Sequence, residues 1–251
     1  GYIIDTVKEE LENKGYSINT EEYKCTHNGG VAQGIYYINH GDDPELGLMF
    51  AWCNSYDKST RFKCAVGAHV FVCANGLIHG DLSSYSRKHT GTANADIALS
   101  IATQIGLANN KFTQLVKDKN DMKDFKLSVT QQSELLGRLF VEEKILDSQQ
   151  ISIVKSEIED PSFNYGVDPD TAWMFYNNVT HALKKTHPRN WMDHQSQFHS
   201  FMSGVLLNVH TPQPKDLANT NPTIDEAELD ENQTSMADLD DFLEEIPTFE
   251  L

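Results

Sequence analysis

Short runs of hydrophobic residues, separated by turn residues, fill the part of the chain between 16 and 88. These runs are rich in β-branched and aromatic residues, a composition that is typical of β-strands. His27–Gly30, His40–Pro44 and Asn75–Gly76 mark the turns between them. The pattern predicts five strands and one further candidate, over 16–26, 31–39, 46–53, 60–66, 68–74 and 83–88.

Apolar residues recur at helical spacing on both sides of this β-rich region. A short helix is predicted over 5–14, capped by Asp5 or Thr6 and ended by Gly15. A helix with Thr92 as its candidate N-cap follows the strands, and its predicted apolar face is Ala95, Ala98, Leu99, Ala102 and Ile105. Later helices are predicted over 128–145, 148–158, 169–185 and 190–207, and the third of these has Trp173, Tyr176, Val179 and Leu183 facing inward.

The order of elements is a helix, a run of strands and then further helices. Strands that follow one another closely along the chain favour an antiparallel β-meander, and helices packed on such a sheet define the α+β class. We therefore expect an α+β body over 1–210, with a β-rich part at 16–90 and a helical part at 92–207.

Charge separates the remaining residues from this body. The 251-residue chain has 20 basic and 37 acidic residues, and 211–251 alone holds 12 acidic residues and one basic residue, Lys215. A segment as polar as 211–237 cannot bury enough apolar area to offset its ordering entropy, so a disordered acidic tail is predicted. Its end differs, because 238–251 carries Leu239, Phe242, Leu243, Ile246, Phe249 and Leu251.

Several classes of protein are excluded or disfavoured by the same inspection. No apolar run approaches the roughly 18 residues that a membrane span needs, so no membrane partner is expected. The first residues do not resemble a secretory signal, and we expect a cytoplasmic protein whose four cysteines are reduced.

Motifs for catalysis, metals and nucleotides are absent from the sequence. There is no C-x-x-C pair, no H-E-x-x-H, no phosphate-binding glycine loop and no G-x-S-x-G elbow. His187, His194 and His199 lie close together in the sequence but in poor register for a shared ligand face. The expectation is no metal, no cofactor and no enzymatic activity; an enzyme remains an alternative, with His69, His79 or His89 as candidate residues.

Basic and aromatic residues are interleaved between 52 and 92. Alternation along a strand places Arg61 and Lys63 on one face and Phe62 and Cys64 on the other. Cations that track phosphates and rings that stack on bases would make a platform for single-stranded DNA. The predicted nucleic-acid-binding residues are Trp52, Tyr56, Arg61, Lys63, Tyr85, Arg87 and Lys88. The alternative is that the rings belong to the core and the charges are merely solvated.

This stretch resembles a phage/plasmid-like family of unknown function. Asn54-Ser55-Tyr56-Asp57-Lys58-Ser59 is similar to the Asn-Ser-His-Asp-Gly-Ser that its members usually show. Further similarity lies in 70–77, in the Arg-Lys-His-Thr of 87–90 and in the Trp, Asn, Val and Thr of 173–180. The resemblance covers roughly 45–185. It implies an origin in a mobile element but says almost nothing about the mechanism of the protein.

The acidic tip is similar to the C-terminal tip of bacterial and phage single-stranded DNA-binding proteins, which ends in Ile-Pro-Phe. Here the corresponding residues are Ile246, Pro247 and Phe249, with Thr248 inserted and two residues following. Apolar residues among carboxylates can fill a partner's pocket while the acids meet its basic rim. Phe242, Ile246 and Phe249 are therefore the predicted partner-binding residues, and a short amphipathic helix is an alternative local structure.

These observations lead to one principal hypothesis. The chain is expected to be a bacteriophage single-stranded DNA-binding protein that recruits replication or transcription proteins through its tip. A single-strand annealing recombination protein is the nearest alternative. A DNA-mimic inhibitor is a third, although residues 1–210 account for only −6 of the net charge of −17.

Overall fold

The β-rich first third of the chain forms one sheet. The computed structural model describes residues 1–80, 82–85 and 93–210, and for 83–85, 93 and 208–210 it describes the backbone alone. Within these residues the sheet has six strands, β1 (Ser17–Cys25), β2 (Val31–Asn39), β3 (Leu46–Ser55), β4 (Phe62–Val70), β5 (Gly76–Leu77) and β6 (Ser83–Tyr85).

The sheet is the antiparallel meander that the sequence predicts. Strands β1 to β5 are neighbours in chain order, and β6 also pairs with β4. The two short strands lie at opposite ends of β4, since β5 pairs with Ala68 and His69 whereas Tyr85 of β6 pairs with Phe62. The α+β prediction is confirmed.

The predicted break between 60–66 and 68–74 is wrong, because Gly67 lies inside one continuous strand. A Cβ at Gly67 would come within 2.2 Å of the carbonyl oxygen of Leu77. The glycine therefore permits a close approach of backbones and does not mark a turn. The chain turns later, at Ala74, which has a positive φ of 54°.

Seven helices are present in the described residues, namely α1 (Tyr2–Asn13), α2 (Ala93–Gly106), α3 (Ala108–Asp124), α4 (Val129–Val141), α5 (Ser148–Glu159), α6 (Ala172–Leu183) and α7 (Pro188–His210). Polar side chains cap three of them, since Ser128, Asp147 and Thr171 accept hydrogen bonds from backbone N–H groups of the first turns of α4, α5 and α6. Two predictions fail here: α1 begins at Tyr2, with Gly1 and not Asp5 or Thr6 at the N-cap position, and α3 was not predicted.

Helix α2 buries a face that matches the predicted one only in part, since Ile105 belongs to both. Ile97, Ile101 and Ile105 are buried, whereas Leu99 is 67% exposed. Three isoleucines at i, i+4 and i+8 hold more apolar area than the alanines of the predicted face, so they face the core. The proposed cap Thr92 lies outside the described residues.

Helices cover both faces of the sheet. On one face Tyr36, Phe50 and Val66 belong to the main core, which also includes residues of α1, α2, α3 and α6. On the other face Met49, Ala51 and Ala65 form a smaller core with Trp191 and Met192 of α7. The inward-facing residues predicted for α6 are all buried.

A buried ion network fastens α3 to the turn between β2 and β3. Lys119 is 2% exposed, and its Nζ lies 2.7 Å from Asp43 Oδ2 and 2.8 Å from Glu45 Oε2. Burial raises the pKa of both carboxyl groups, but hydrogen bonds from Lys119, joined by backbone N–H groups at Asp43 and by Lys123 at Glu45, together outweigh it, so both pKa values are lowered. The network holds the turn in a single position against the helix.

The chain divides into two units at Pro212, and only the first, Gly1–Pro212, contains described residues. The predicted tail 211–251, with Phe242, Ile246 and Phe249 in its tip, thus lies outside the part that the structure describes. None of the helices in the described part is both long and apolar enough to span a bilayer.

Candidate nucleic-acid interface

The start of β4 carries the two cations that the sequence placed on one face. Phe62 and Cys64 are buried in the main core, Arg61 is exposed and Lys63 is half-buried. Lys63 pairs with Cys53 across the sheet, and Cys53 belongs to the core under α7. The predicted alternation is confirmed, and the two cations lie on the face of the sheet that α7 covers.

Because α7 covers this face, the sheet does not offer the open surface that a stacking platform requires. What remains is a cleft of about 770 Å³ between the start of β4 and α7. Its walls are polar apart from one leucine, and they comprise Ser59, Thr60, Arg61, Lys63, Leu82, Asp193, Ser196 and Gln197. A cleft of this shape has no room for the row of stacked bases that the sequence analysis expected.

The lining of the cleft carries two cations, Arg61 and Lys63, and one carboxylate, Asp193. Lys63 forms an ion pair with Asp193 of α7. Hydrogen bonds from Ser59 lower the pKa of Asp57, and the charge of Arg189 adds to this effect. Among the described residues Arg61 forms no ion pair. Arg61 is therefore the cation best placed to meet an anion such as phosphate.

The predicted aromatic residues divide between two environments. Trp52 is only 5% exposed, and its Nε1 lies 3.4 Å from the hydroxyl of Tyr36. Gly34 makes room for the indole, since a Cβ there would come within 2.4 Å of Nε1. Tyr56, in contrast, is 82% exposed at the end of the β3–β4 hairpin. Of these two rings, only Tyr56 is free to stack on a base.

The rings and the cations lie on opposite sides of the β3–β4 hairpin. Trp52 and Tyr56 line a second pocket of about 290 Å³ beside the start of α1. Neighbouring residues of a strand point to opposite faces, so Trp52 faces away from Cys53 and hence from Lys63. The structure thus brings Arg61 together with Lys63, and Trp52 together with Tyr56, but does not unite the two pairs in one pocket.

The remaining predicted residues are described in part or not at all. Tyr85 pairs with Phe62 through the backbone, and its side chain is not described. Arg87 and Lys88 lie outside the described residues. Sequence analysis missed Asp193, Ser196 and Gln197, because nothing in the local pattern of α7 shows that this helix crosses the start of β4.

Two segments that carry the family resemblance contact each other in the core. The Nδ2 group of Asn75, after β4, donates hydrogen bonds to the backbone oxygen and to Oδ1 of Asn177, both at 3.1 Å. Trp191 packs so closely on Gly76 that a Cβ there would lie 2.9 Å from the indole. The Asn75-Gly76 turn therefore has a structural role, since its contacts connect the edge of the sheet to α6 and α7.

A cluster of titratable side chains, which sequence analysis also missed, lies near the cleft. His79, Asp118 and His199 meet there although they come from three separate parts of the chain. Burial lowers the pKa of His79, whereas hydrogen bonds from His199 and Gln114 outweigh burial and lower the pKa of Asp118. The grouping of His199 with His187 and His194 in the sequence gave no sign of these partners.

Fold and site together define an α+β protein whose meander sheet lies between helices. A cleft with two basic residues lies between the start of β4 and α7. A family model described as "Domain of unknown function (DUF932)" matches residues 30–214, and the chain belongs to this family. That match agrees with the resemblance to a phage/plasmid-like family of unknown function. Comparisons with curated proteins and with solved structures found no match.

Proposed function

We propose that this protein binds single-stranded DNA without catalysing a reaction, as a bacteriophage protein acting in the cytoplasm of the host cell. It would coat single strands during replication, recombination or transcription. The observation that carries the proposal is the end of the β3–β4 hairpin, where Arg61 and Lys63 line a polar cleft and Tyr56 is exposed nearby.

The geometry favours a strand that crosses the end of the hairpin. Phosphates would lie in the cleft with Arg61 and Lys63, and a base would stack on Tyr56 on the other side. Such a mixture of cations and a ring binds single strands with little dependence on sequence, because every base has a flat face. A rigid duplex would not bend around so short a turn.

Arg87 and Lys88, which lie outside the described residues, follow β6 in the sequence. Tyr85 pairs with Phe62, which is the neighbour of Arg61. We propose that these two cations add to those of the cleft in holding the phosphates of the strand.

A salt series of binding to oligo-dT tests the proposal. Replacing Arg61 by Ala should weaken binding and reduce the slope of log K against log salt by roughly 0.7, the value for one phosphate contact on a single strand. Lys155→Ala removes the same charge from the exposed face of α5 and serves as the control. Equal effects of the two variants would contradict a site at the cleft, and failure to bind either oligo-dT or duplex DNA would favour a DNA mimic.

Stacking is tested at Tyr56. Tyr56→Ala should cost ~1–3 kcal/mol of binding free energy if the ring stacks on a base. Phe140→Ala, which removes another exposed ring from α4, should leave binding unchanged. Titration of a fluorescent oligonucleotide at constant salt measures both, and an unaltered affinity of Tyr56→Ala would remove the ring from the interface.

We propose further that the acidic tip recruits replication or transcription proteins. Its apolar side chains would fill a partner's pocket and its carboxylates would meet a basic rim. Immobilised protein should retain such partners from host extract, and the variant with Phe242, Ile246 and Phe249 all changed to Ala should lose them. Changing Leu217, Ile224 and Leu229, which lie in the tail before the tip, provides the matched control; equal retention by both variants would contradict a role for the tip.

A further inference from the structure

Three side chains with metal-binding atoms converge where the end of the sheet meets two helices. His79 follows β5, Asp118 belongs to α3 and His199 belongs to α7. One ligand atom from each lies within 4.8 Å of the other two. Donor atoms around a small metal ion are held about 2.0–2.2 Å from it, so a separation of this order needs only a slight closure of the cluster.

Hydrogen bonds from neighbouring side chains already orient the two buried candidate ligands, His199 and Asp118. His199 is fully buried, its Nδ1 lies 3.0 Å from the hydroxyl of Tyr176, and its Nε2 lies 2.9 Å from Oδ2 of Asp118, in a hydrogen bond that a bound cation would replace. Gln114 donates a hydrogen bond of 2.7 Å to Oδ1 of Asp118, which leaves Oδ2 to face the two histidines. Such supporting hydrogen bonds fix the tautomer and direction of a ligand, and they are characteristic of metal sites.

His79 completes the cluster from the solvent side. Its Nδ1 is buried without a hydrogen-bond partner, 3.5 Å from Oδ2 of Asp118, which is too long for a normal hydrogen bond. The rest of its side chain is 38% exposed. A cation between the three residues would satisfy the unpartnered nitrogen, and the exposed side would leave one position open for water.

We propose that His79, Asp118 and His199 bind one divalent transition-metal ion, with Zn²⁺ as the best match. Two imidazoles and one carboxylate, with no thiolate, suit zinc or iron better than copper(I), calcium or magnesium. The charge of Lys111 acts on His79 and opposes the cation, whereas the charge of Asp118 favours it. This inference goes beyond the proposed function and does not rest on it.

The ion would fasten the chain after β5 to α3 and α7. Ser196 of α7 already donates a 2.8 Å hydrogen bond to the backbone oxygen of Gly80, and Ser196 also lines the basic cleft. A metal ion bound by His79 and His199 would therefore stabilise the position of α7, which forms one wall of that cleft. Its expected contribution is to the stability of this part of the fold.

Metal content and thermal stability of the full chain test the proposal. The purified protein, stripped with a chelator, incubated with Zn²⁺ and freed of excess metal, should retain about one zinc ion per chain. Its melting temperature should rise with zinc concentration, because a ligand bound by the native state alone stabilises it. A wild-type chain that retains no zinc and shows no such rise would overturn the site in favour of a hydrogen-bonded core cluster.

Variants distinguish this site from surface binding. His79→Ala and Asp118→Asn should each abolish zinc retention while their metal-free circular dichroism stays that of the wild type. Tyr176→Phe should weaken zinc affinity roughly 10–100-fold, as is typical when the partner of a ligand is lost. His27→Ala, which alters the exposed Cys25-Thr26-His27 segment, should retain the metal. If His27→Ala loses zinc and His79→Ala keeps it, the proposal is wrong.

Discussion

Lys58 adopts a backbone conformation that lysine disfavours. Its φ is 60°, in the left-handed region, and it lies in the loop between β3 and β4. The related family segment usually has glycine at this position, which fits the backbone without strain. Hydrogen bonds around the loop hold the conformation, including one of 2.9 Å from the backbone N–H of Ser59 to Asp57.

Lys58→Gly should therefore stabilise the protein by about 0.5–1 kcal/mol. The left-handed conformation costs a non-glycine residue roughly 1–2 kcal/mol, whereas the extra chain entropy of glycine costs roughly 0.5–1 kcal/mol. Urea denaturation measures the difference. Lys155→Gly, inside α5, should instead destabilise by about 1 kcal/mol; a loss of stability in Lys58→Gly as well would show that the loop carries no strain.

Asp193 should weaken the binding of anions in the cleft, because its carboxylate already neutralises the charge of Lys63. Asp193→Asn should free this lysine for phosphate, so oligo-dT should bind more tightly and the salt slope should steepen by roughly 0.7. The matched control is Asp121→Asn, which breaks the exposed pair with Lys117 on α3. Unchanged binding by Asp193→Asn would mean that Lys63 makes no phosphate contact.

At the scale of elements, α3 is joined to the sheet by charge as well as by apolar packing. Lys119 bridges Asp43 and Glu45, and Lys123 adds a 2.8 Å contact to Glu45. Two carboxylates whose folded-state pKa values are lowered contribute stability above their unfolded pKa values, near 4. That contribution is lost as the pH falls through the folded values.

Lys119→Met should destabilise the protein by about 3–5 kcal/mol at pH 7, since it leaves the largely buried carboxylate of Asp43 without its cation, whereas Glu45 keeps Lys123. The loss should shrink below about pH 4, where protonation removes the unpaired charge. Denaturation at pH 7 and pH 3.5 measures both effects. Lys117→Met, on the exposed side of the same helix, should cost at most about 1 kcal/mol. A loss that is the same at both pH values would exclude this electrostatic origin.

Across the whole molecule, most of the net negative charge belongs to residues outside the described part of the chain. Residues 211–251 hold −11 of the net charge of −17. A polyanion attached to a DNA-binding body would compete with phosphates for its cations, and this competition would weaken as salt screens it. The acidic overall balance is thus compatible with a DNA-binding body.

Removal of 211–251 should therefore tighten oligo-dT binding at low salt, and the difference from the full chain should close as the salt concentration rises. Binding curves of both proteins at about 0.05 and 0.5 M salt measure this. Neutralising the tail by changing its acids to Asn and Gln should reproduce the effect without shortening the chain. A truncated protein that no longer binds would show that the tail supplies affinity.

Local patterns in the sequence were enough to predict the sheet topology and the faces of β4. Alternation placed Arg61 and Lys63 opposite Phe62 and Cys64, and closely spaced strands yielded the meander, because side-chain direction and short connections are local properties. Tertiary structure alone decided that α7 covers this face of the sheet and leaves only a cleft beside Arg61 and Lys63. It also brought His79, Asp118 and His199 together. Such contacts depend on how distant elements pack, and no spacing along the chain records that packing.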